Sequence, residues 1–463
     1  MDIIRASHIA SVAALLGVTA SLSTGCNDAA APMPTTGAIG ITAATTSVDL
    51  DADGYDVSVD GGARRAIGTN GTMAISGLPP GDHVVRLDGV AANCTVRGSN
   101  PVQVNVAAGA MAEVPFALAC TAPVTRLVFA SVSAGHSSSC GVTTDGAAYC
   151  WGSNSYGQLG NGSTTGSTTP TAVVGTLTFA VVSAGVFNTC GLTTRGNAYC
   201  WGGVYGVTPV PVEAGVRFQA ISVGISHACG LTADGAAYCW GENGLGQLGT
   251  GDLTPSSTPA PVSGGLTFRS LSAGWYYTCG VTSDAIGYCW GSDGALGYAA
   301  TDACEYDEPT NSFITCTKRP VVVEGEHSFV RVGTGERFTC GLTTDGAVYC
   351  WGFYPEGGSV TPVAVPGGLT FAALSVDAQR ACGVMAGGSA ECWGWIPVQN
   401  QFSDAPTSVP GGLTFAVVSV GWFHTCGVTA RGTAYCWGVN SSGELGDGSQ
   451  ANSLVPVKVT GPR

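Results

Sequence analysis

The chain has 463 residues and a formal net charge of −14, with 17 Lys and Arg against 31 Asp and Glu and with 70 glycines. That balance excludes a surface built to hold nucleic acid or an anionic membrane, since both need a basic patch. Gly-rich and Thr/Val-rich stretches without Ala/Leu/Glu/Lys runs point to an all-β chain with many turns.

The N-terminus reads as an export signal. Arg5 precedes an apolar run from Ile9 to Leu22, followed by "STGC" at 23–26. The run is too short for a confident spanning helix. Its ending resembles a bacterial lipoprotein signal, which implies Cys26 as the lipidated first residue of the mature chain. "NDAAAPMPTTG" at 27–37 then reads as a flexible tether. Setting Cys26 aside leaves eighteen cysteines, and an exported chain with even cysteines favours a disulfide framework.

Residues 38–121 carry short segments with period-2 alternation, such as "YDVSVDG", "HVVRLDG" and "EVPFALAC", separated by turn signals such as "GLPPGD". We expect a small β-sandwich closed by Cys94–Cys120, similar to the immunoglobulin-like or carboxypeptidase-regulatory-like modules of secreted bacterial proteins. Within it, "DLDADGYDVSVD" places Asp49, Asp51, Asp53 and Asp60 at calcium-loop positions. Val57 offers no side-chain oxygen at the ninth position, and the flanks read as strands. A β-turn that favours Asp and Gly for backbone reasons is the plainer reading.

From residue 122 to 463 the chain repeats itself. Seven cysteine pairs share one spacing: Cys140 with Cys150, Cys190 with Cys200, Cys229 with Cys239, Cys279 with Cys289, Cys340 with Cys350, Cys382 with Cys392 and Cys426 with Cys436. Copies start 39 to 61 residues apart, the period of propeller blades. Each has four strand-like pieces: "LVFASVSAG", "CGVTT", "AAYCWG" and a Pro/Val piece. Four strands and seven copies predict a seven-bladed β-propeller behind the sandwich. The last copy ends in "VPVKV", so we expect strand 455–459 to complete the sheet that Leu127 begins, leaving no open edges.

The hairpin between each cysteine pair fixes what the pair is for. Asp145 is the midpoint of Cys140 and Cys150. A three-residue loop, Thr144-Asp145-Gly146, then puts the two cysteines directly opposite. Cross-strand Cα atoms about 4.5 Å apart are within disulfide range. Zinc would need close C-x2–4-C spacing, which is absent, and redox catalysis needs one exposed thiol rather than seven clasps. We expect Cys304–Cys316 to close an acidic insertion that holds Glu305, Asp307 and Glu308, with Asp302 just before it. Trp151, Trp201, Trp240, Trp290, Trp351, Trp393 and Trp437 follow the second cysteines and read as packing between blades.

"SAGHSSSCGVTTDGAAYCWGSNSYGQLGNG" (133–162), "ISHACGLTADGAAYCWGENGLGQLGTG" (225–251) and "GWFHTCGVTARGTAYCWGVNSSGELGDG" (421–448) resemble the repeats of the regulator of chromosome condensation family. That resemblance implies a seven-bladed propeller. Its founding member promotes nucleotide exchange on a nuclear GTPase and binds chromatin. An exchange role for this chain is the alternative reading, opposed by the export signal, the disulfides and the acidic charge.

Specificity in a repeat protein sits where equivalent positions differ. The four residues before each first cysteine are such a set, and they hold Trp275, Tyr276, Arg337, Arg380, Trp422, Phe423 and His424. Trp, Tyr and Arg are the usual anchors of binding faces. We expect a monomeric, non-enzymatic binding module without cofactor or resident metal. Its partner is an extracellular or envelope protein or a glycan, and it touches the membrane only through the lipid.

Overall fold

The computed structural model describes residues 35–46, 54–91, 94–120, 127–213, 215–300, 302–307, 312–352 and 358–461. Cys26 and the tether up to residue 34 lie outside them, as do Asp49, Asp51, Asp53 and Glu308. Among the described residues the chain is built of strands, with one 3-10 turn at Gly203–Tyr205. No described helix is long and apolar enough to cross a membrane.

Residues 37–120 form two four-stranded sheets. Alternation turns Ile39 and Ile41 of Gly37–Thr46 inward against Val57 of Tyr55–Val59 and Val85 and Leu87 of Gly81–Asp88, which makes one shared core. Cys94 and Cys120 face each other on neighbouring strands with Cα atoms 3.9 Å apart. Asp60 pairs with His83 (2.6 Å) and accepts the Val84 N–H (2.8 Å), so both its oxygens are engaged. The module rests on the far end of the chain. Arg64 Nη1 donates to the Pro456 carbonyl and Tyr435 Oη donates to Asp56, each at 3.2 Å.

Seven further sheets follow among the described residues, each made from one contiguous stretch. The first runs Phe129–Ala134, Ser138–Thr143, Ala148–Gly152, Ser167–Ala172, in that order from one edge to the other. The others span 179–211, 220–261, 268–322, 329–364, 373–408 and 417–458. The fourth gains a fifth strand, Asp302–Asp307, from the acidic insertion. Asp302, Glu305 and Asp307 fall on that added strand. Cys304 on the same strand and Cys316 on its neighbour have Cα atoms 5.9 Å apart.

The cysteine parity argument holds. Cys140 lies opposite Cys150 in register, and Thr143 N–H closes the three-residue loop on the Ala147 carbonyl. Gly146 takes a φ of 86°, the left-handed value that this loop requires. The Cα separation is 4.0 Å, tighter than the generic cross-strand pair. The other six repeats copy the register. Cys190 lies opposite Cys200, Cys229 opposite Cys239 and Cys279 opposite Cys289. Cys340 likewise lies opposite Cys350, Cys382 opposite Cys392 and Cys426 opposite Cys436. Their Cα separations are 4.0–4.1 Å, so each pair is placed for a disulfide within its own hairpin. Burial differs at one of them. Cys200, Cys239 and Cys350 are buried with their partners, whereas Cys392 is only half-buried beside a buried Cys382.

The expected closure by strand 455–459 does not occur. The last strand, Ser453–Lys458, pairs with Ala434–Gly438 of its own repeat. Ser167–Ala172 already supplies the fourth strand of the first sheet, so that sheet has no vacancy. The cycle closes by packing of sheet faces instead. Phe129 N–H donates to the Gly432 carbonyl (2.8 Å), and Trp151 Nε1 donates to the Glu444 carbonyl (2.8 Å).

Every junction between sheets is built the same way. The cysteine pair of one sheet is packed against the Phe and Trp of the next: Cys140 and Cys150 against Phe179 and Trp201, and so on to Cys426 and Cys436 against Phe129 and Trp151. Where the preceding repeat keeps its "GQLG" loop or part of it, that loop's carbonyl accepts the indole N–H. Trp201 donates to Gln158, Trp290 to Gln247 and Trp351 to Ala295, at 2.9–3.0 Å. On the inner side, the serine opposite each first cysteine accepts a backbone N–H from the next sheet. Ala184 donates to Ser133, Val223 to Ser183, Ala273 to Ser222 and Ala134 to Ser419, at 2.9–3.1 Å. In the fifth sheet Gly333 stands in that place.

Two substitutions test the junction. Trp201→Phe keeps an aromatic ring and removes the indole donor, and Ser222→Ala leaves the Ala273 N–H without its acceptor. Ser222→Ala is expected to cost about 1–3 kcal/mol in urea denaturation, the penalty for an orphaned buried polar group, and Trp201→Phe about 0.5–1.5 kcal/mol, the net worth of one hydrogen bond, because the Gln158 carbonyl keeps Thr189 Oγ1. Losses below about 0.5 kcal/mol for both, the range of neutral surface changes, would show that the junctions are held by apolar packing alone.

Candidate binding face

The first strand of each sheet runs toward one end of the ring and turns back there. In six sheets the turn begins on a glycine: Gly135, Gly185, Gly224, Gly274, Gly335 and Gly421. A Cβ on Gly224 would lie 2.2 Å from the Gly274 carbonyl, and one on Gly421 would lie 2.2 Å from the Gly135 carbonyl. Only glycine lets the turns crowd this closely. The sixth repeat departs from the pattern. Asp377 occupies the glycine position and pairs with Arg380 across a two-residue turn, and Ala378 takes a φ of 48°.

The four residues after that point separate by role. Among the first of each set, His136, Val186, Trp275 and Trp422 line the opening, whereas none of the second residues lines it; Phe187, Tyr276 and Arg337 are exposed and Phe423 is half-buried. The third and fourth begin the second strand and are buried in all seven repeats. This corrects two expected face residues. Arg380 and His424 are third-position residues held between sheets, because strand alternation there turns the side chain toward the neighbouring sheet. Arg380 Nη2 donates to Thr425 Oγ1, and burial lowers its guanidinium to about 10.

His424 and its counterpart His227 have a fixed tautomer. Ser139 Oγ donates to the Glu444 carbonyl (2.9 Å), so His424 Nε2 must donate to Ser139 Oγ (2.7 Å). Thr278 Oγ1 likewise donates to the Gln247 carbonyl (2.9 Å) and receives His227 Nε2–H (2.9 Å). Nδ1 of both rings has no hydrogen-bond partner among the described residues. Burial pushes both imidazoles down to about 3.

Four of the remaining expected residues, Trp275, Tyr276, Trp422 and Phe423, do converge. Trp275 and Trp422 come from the fourth and seventh sheets, which are not neighbours, yet their rings stack across the opening at 4.3 Å and 21°. The stack extends on both sides. Tyr276 meets Trp275 at 6.2 Å, Phe423 meets Trp422 at 5.9 Å, and Trp395 meets Phe423 at 6.0 Å. His136 wedges against Trp422 and Phe423 at 5.1 and 5.2 Å. The result is one aromatic band lying across the mouth of the ring. Tyr276 is 40% exposed, and Arg337, on the turn of the next sheet, is exposed and, among the described residues, has no ring contact with the band. Sequence reasoning missed Trp395, which lies outside the four-residue set. The second Trp in "CWGW", present in the sixth repeat alone, is the signal that could have found it. Tyr156 and Phe187 form a separate exposed pair at 4.8 Å.

No group of three metal-ligating side chains occurs among the described residues. Three of the seven first-position residues, His136, Trp275 and Trp422, are aromatic.

His227 and His424 set an acid limit on the ring. Their folded pKa of about 3 lies below the free value of 6.5, so the unfolded chain takes up protons first as pH falls. Their contribution to stability should be level above pH 6.5 and decline from there toward pH 3. His424→Gln keeps a donor for Ser139 and should flatten part of that decline in melting curves recorded against pH. A variant profile as steep as the parent's would remove His424 as a cause.

Comparisons with known proteins agree with the repeat pattern. Two profiles, both described as the regulator of chromosome condensation (RCC1) repeat, match the chain, one at residues 129–158, 218–247, 329–353 and 415–444, the other at 145–192, 234–281 and 431–463. No curated protein matches by sequence. Among solved structures, human WBSCR16 is 17% identical at a TM-score of 0.47, covering 79% of this chain and 88% of its own. The CRINKLY WD40 ectodomain of the Arabidopsis thaliana receptor kinase ACR4 is 23% identical at 0.46, covering 70% and 99%. Yeast RCC1 (Prp20), bound to Kap60, is 18% identical at 0.42, covering 71% and 74%. The chain therefore carries regulator of chromosome condensation repeats in an all-β architecture of repeated four-stranded sheets, consistent with a β-propeller.

Proposed function

We propose that the chain is an exported, seven-bladed propeller that binds a protein partner through the aromatic band on one face. The observation that carries this reading is the band itself. Trp395, Phe423, Trp422, Trp275 and Tyr276 form one continuous run of rings at a surface, on a protein whose other large aromatics are mostly buried. Large rings bring contact area at low conformational cost, which is why they dominate binding energy at interfaces. A protein partner is favoured over a glycan because Trp275 and Trp422 spend one face on each other, which leaves less free ring surface for sugar stacking.

Export and lipid attachment at Cys26 fit the same picture. Nine cysteine pairs are placed for disulfides, and such pairs persist in oxidising compartments. The two-sheet N-terminal module then acts as a spacer between anchor and face. The exchange-factor reading requires a reduced, cytosolic protein, so the redox state separates the two. Thiol alkylation under denaturing, non-reducing conditions should label none of the eighteen cysteines after Cys26. Labelling of most of them would favour the alternative.

The face is tested by affinity capture from the source envelope fraction, with the parent chain beside a variant carrying Tyr276→Ala, Trp422→Ala and Phe423→Ala. The variant should lose at least about 2 kcal/mol of affinity, the scale of interface hot spots. Equal capture by both would place the binding surface elsewhere. Loss that is insensitive to salt, together with release by free sugars, would make the partner a glycan.

A further inference from the structure

The aromatic band roofs a cavity of about 200 Å³ on the axis of the ring. Trp275, Trp422 and His136 line its mouth, and six serines, Ser133, Ser183, Ser222, Ser272, Ser375 and Ser419, line its wall. One carboxylate enters it, that of Asp377. This residue stands where every other repeat has glycine, so the side chain is an addition to an otherwise bare collar. Its Oδ1 accepts the Ala378 N–H at 2.6 Å. The three ion pairs among the described residues all lie in the N-terminal module, so none of them reaches Asp377. The nearest cation, Arg380, is turned to Thr425.

We infer that this cavity is a socket for a single organic cation, the guanidinium or ammonium of an Arg or Lys side chain presented by the protein partner. The inference rests on the protein-binding reading of the face and adds what the partner must carry. The chemistry is complementary at each level. Indole faces attract a cation, most strongly where water is excluded. The carboxylate supplies the opposite charge and a charge-assisted hydrogen bond. Five of the wall serines spend one lone pair on a backbone N–H and keep another to accept from the ligand, and Ser272, which takes the Thr334 N–H, also bonds Thr334 Oγ1 at 2.8 Å. The chain's net charge of −14 draws basic partners toward it. Burial pushes the Asp377 carboxyl up to about 7 and Glu336 adds repulsion, while the Ala378 N–H and the Arg380 charge pull it part of the way back.

The test uses the whole protein and two small probes of one shape, n-butylguanidinium and neutral n-butylurea. Binding is followed by the indole N–H resonances of Trp275 and Trp422. Butylguanidinium should bind saturably and at least about tenfold more tightly than butylurea, the factor that one charge-assisted contact supplies. Asp377→Asn, which retains an oxygen for the Ala378 N–H, should reduce butylguanidinium to the level of butylurea. Equal binding of the two probes to the parent protein, or an unchanged affinity in the Asn variant, overturns the socket. The parent comparison decides the matter even if the variant does not fold. Absence of saturable binding also overturns the socket, but leaves the aromatic face standing if capture still depends on Tyr276, Trp422 and Phe423.

Discussion

Seven first strands must approach one axis, and the rest of the molecule follows from how that crowding is tolerated. Backbone has to pass within van der Waals distance of backbone at the mouth, which is why the turns begin on glycine. A Cβ on Gly335 would sit 2.2 Å from the Ala378 carbonyl. Just below, serine hydroxyls take up N–H groups that face the neighbouring sheet instead of a strand partner. Ser375 receives the Val420 N–H at 2.9 Å. An inner edge strand thus has its polar groups satisfied without another strand beside it, and the sheets can pack face to face.

The outer layer of each junction solves a different problem. The cysteine pair presents a small apolar surface, and the Trp of the next sheet fills the space against it. Cys279 and Cys289 are packed with Phe329 and Trp351, and Cys190 and Cys200 with Phe218 and Trp240. The clasp and the packing surface are therefore one object. A cross-strand bridge mainly restricts the unfolded chain, while its sulfurs fill part of the interface in the folded one. The glycine after each first cysteine belongs to the same arrangement, since a Cβ on Gly141 would meet the Phe129 ring at 2.6 Å.

With the scaffold repeated so strictly, the departures carry the chemistry. Asp377 breaks an otherwise constant glycine position, and Trp275, Trp422 and Trp395 stand at positions that vary from repeat to repeat. Structural demands explain the constant positions. They do not ask for an acid on the axis or for indoles across the mouth, and these residues make up the candidate site.

Much of the fold was legible because its signals are local. Hairpin parity follows from loop length and is independent of what surrounds it, so the direct opposition of Cys140 and Cys150 could be deduced from one short hairpin. Period-2 patterning and the recurrence of "CWG" set the strand type and the repeat. Local signals failed where two sheets meet. The order of pieces did not reveal that the last strand stays with its own repeat, because closure here depends on packing between faces, which leaves no mark on strand order. Nor could spacing tell that Arg380 and His424 turn inward while Trp422 and Phe423 stay at the surface. By itself, the sequence determined an all-β repeat, its period and its cysteine register, since each depends on contacts within one hairpin. Only the tertiary structure decided which of the variable residues share a site, because Trp275 and Trp422, 147 positions apart, become neighbours only when the ring is closed.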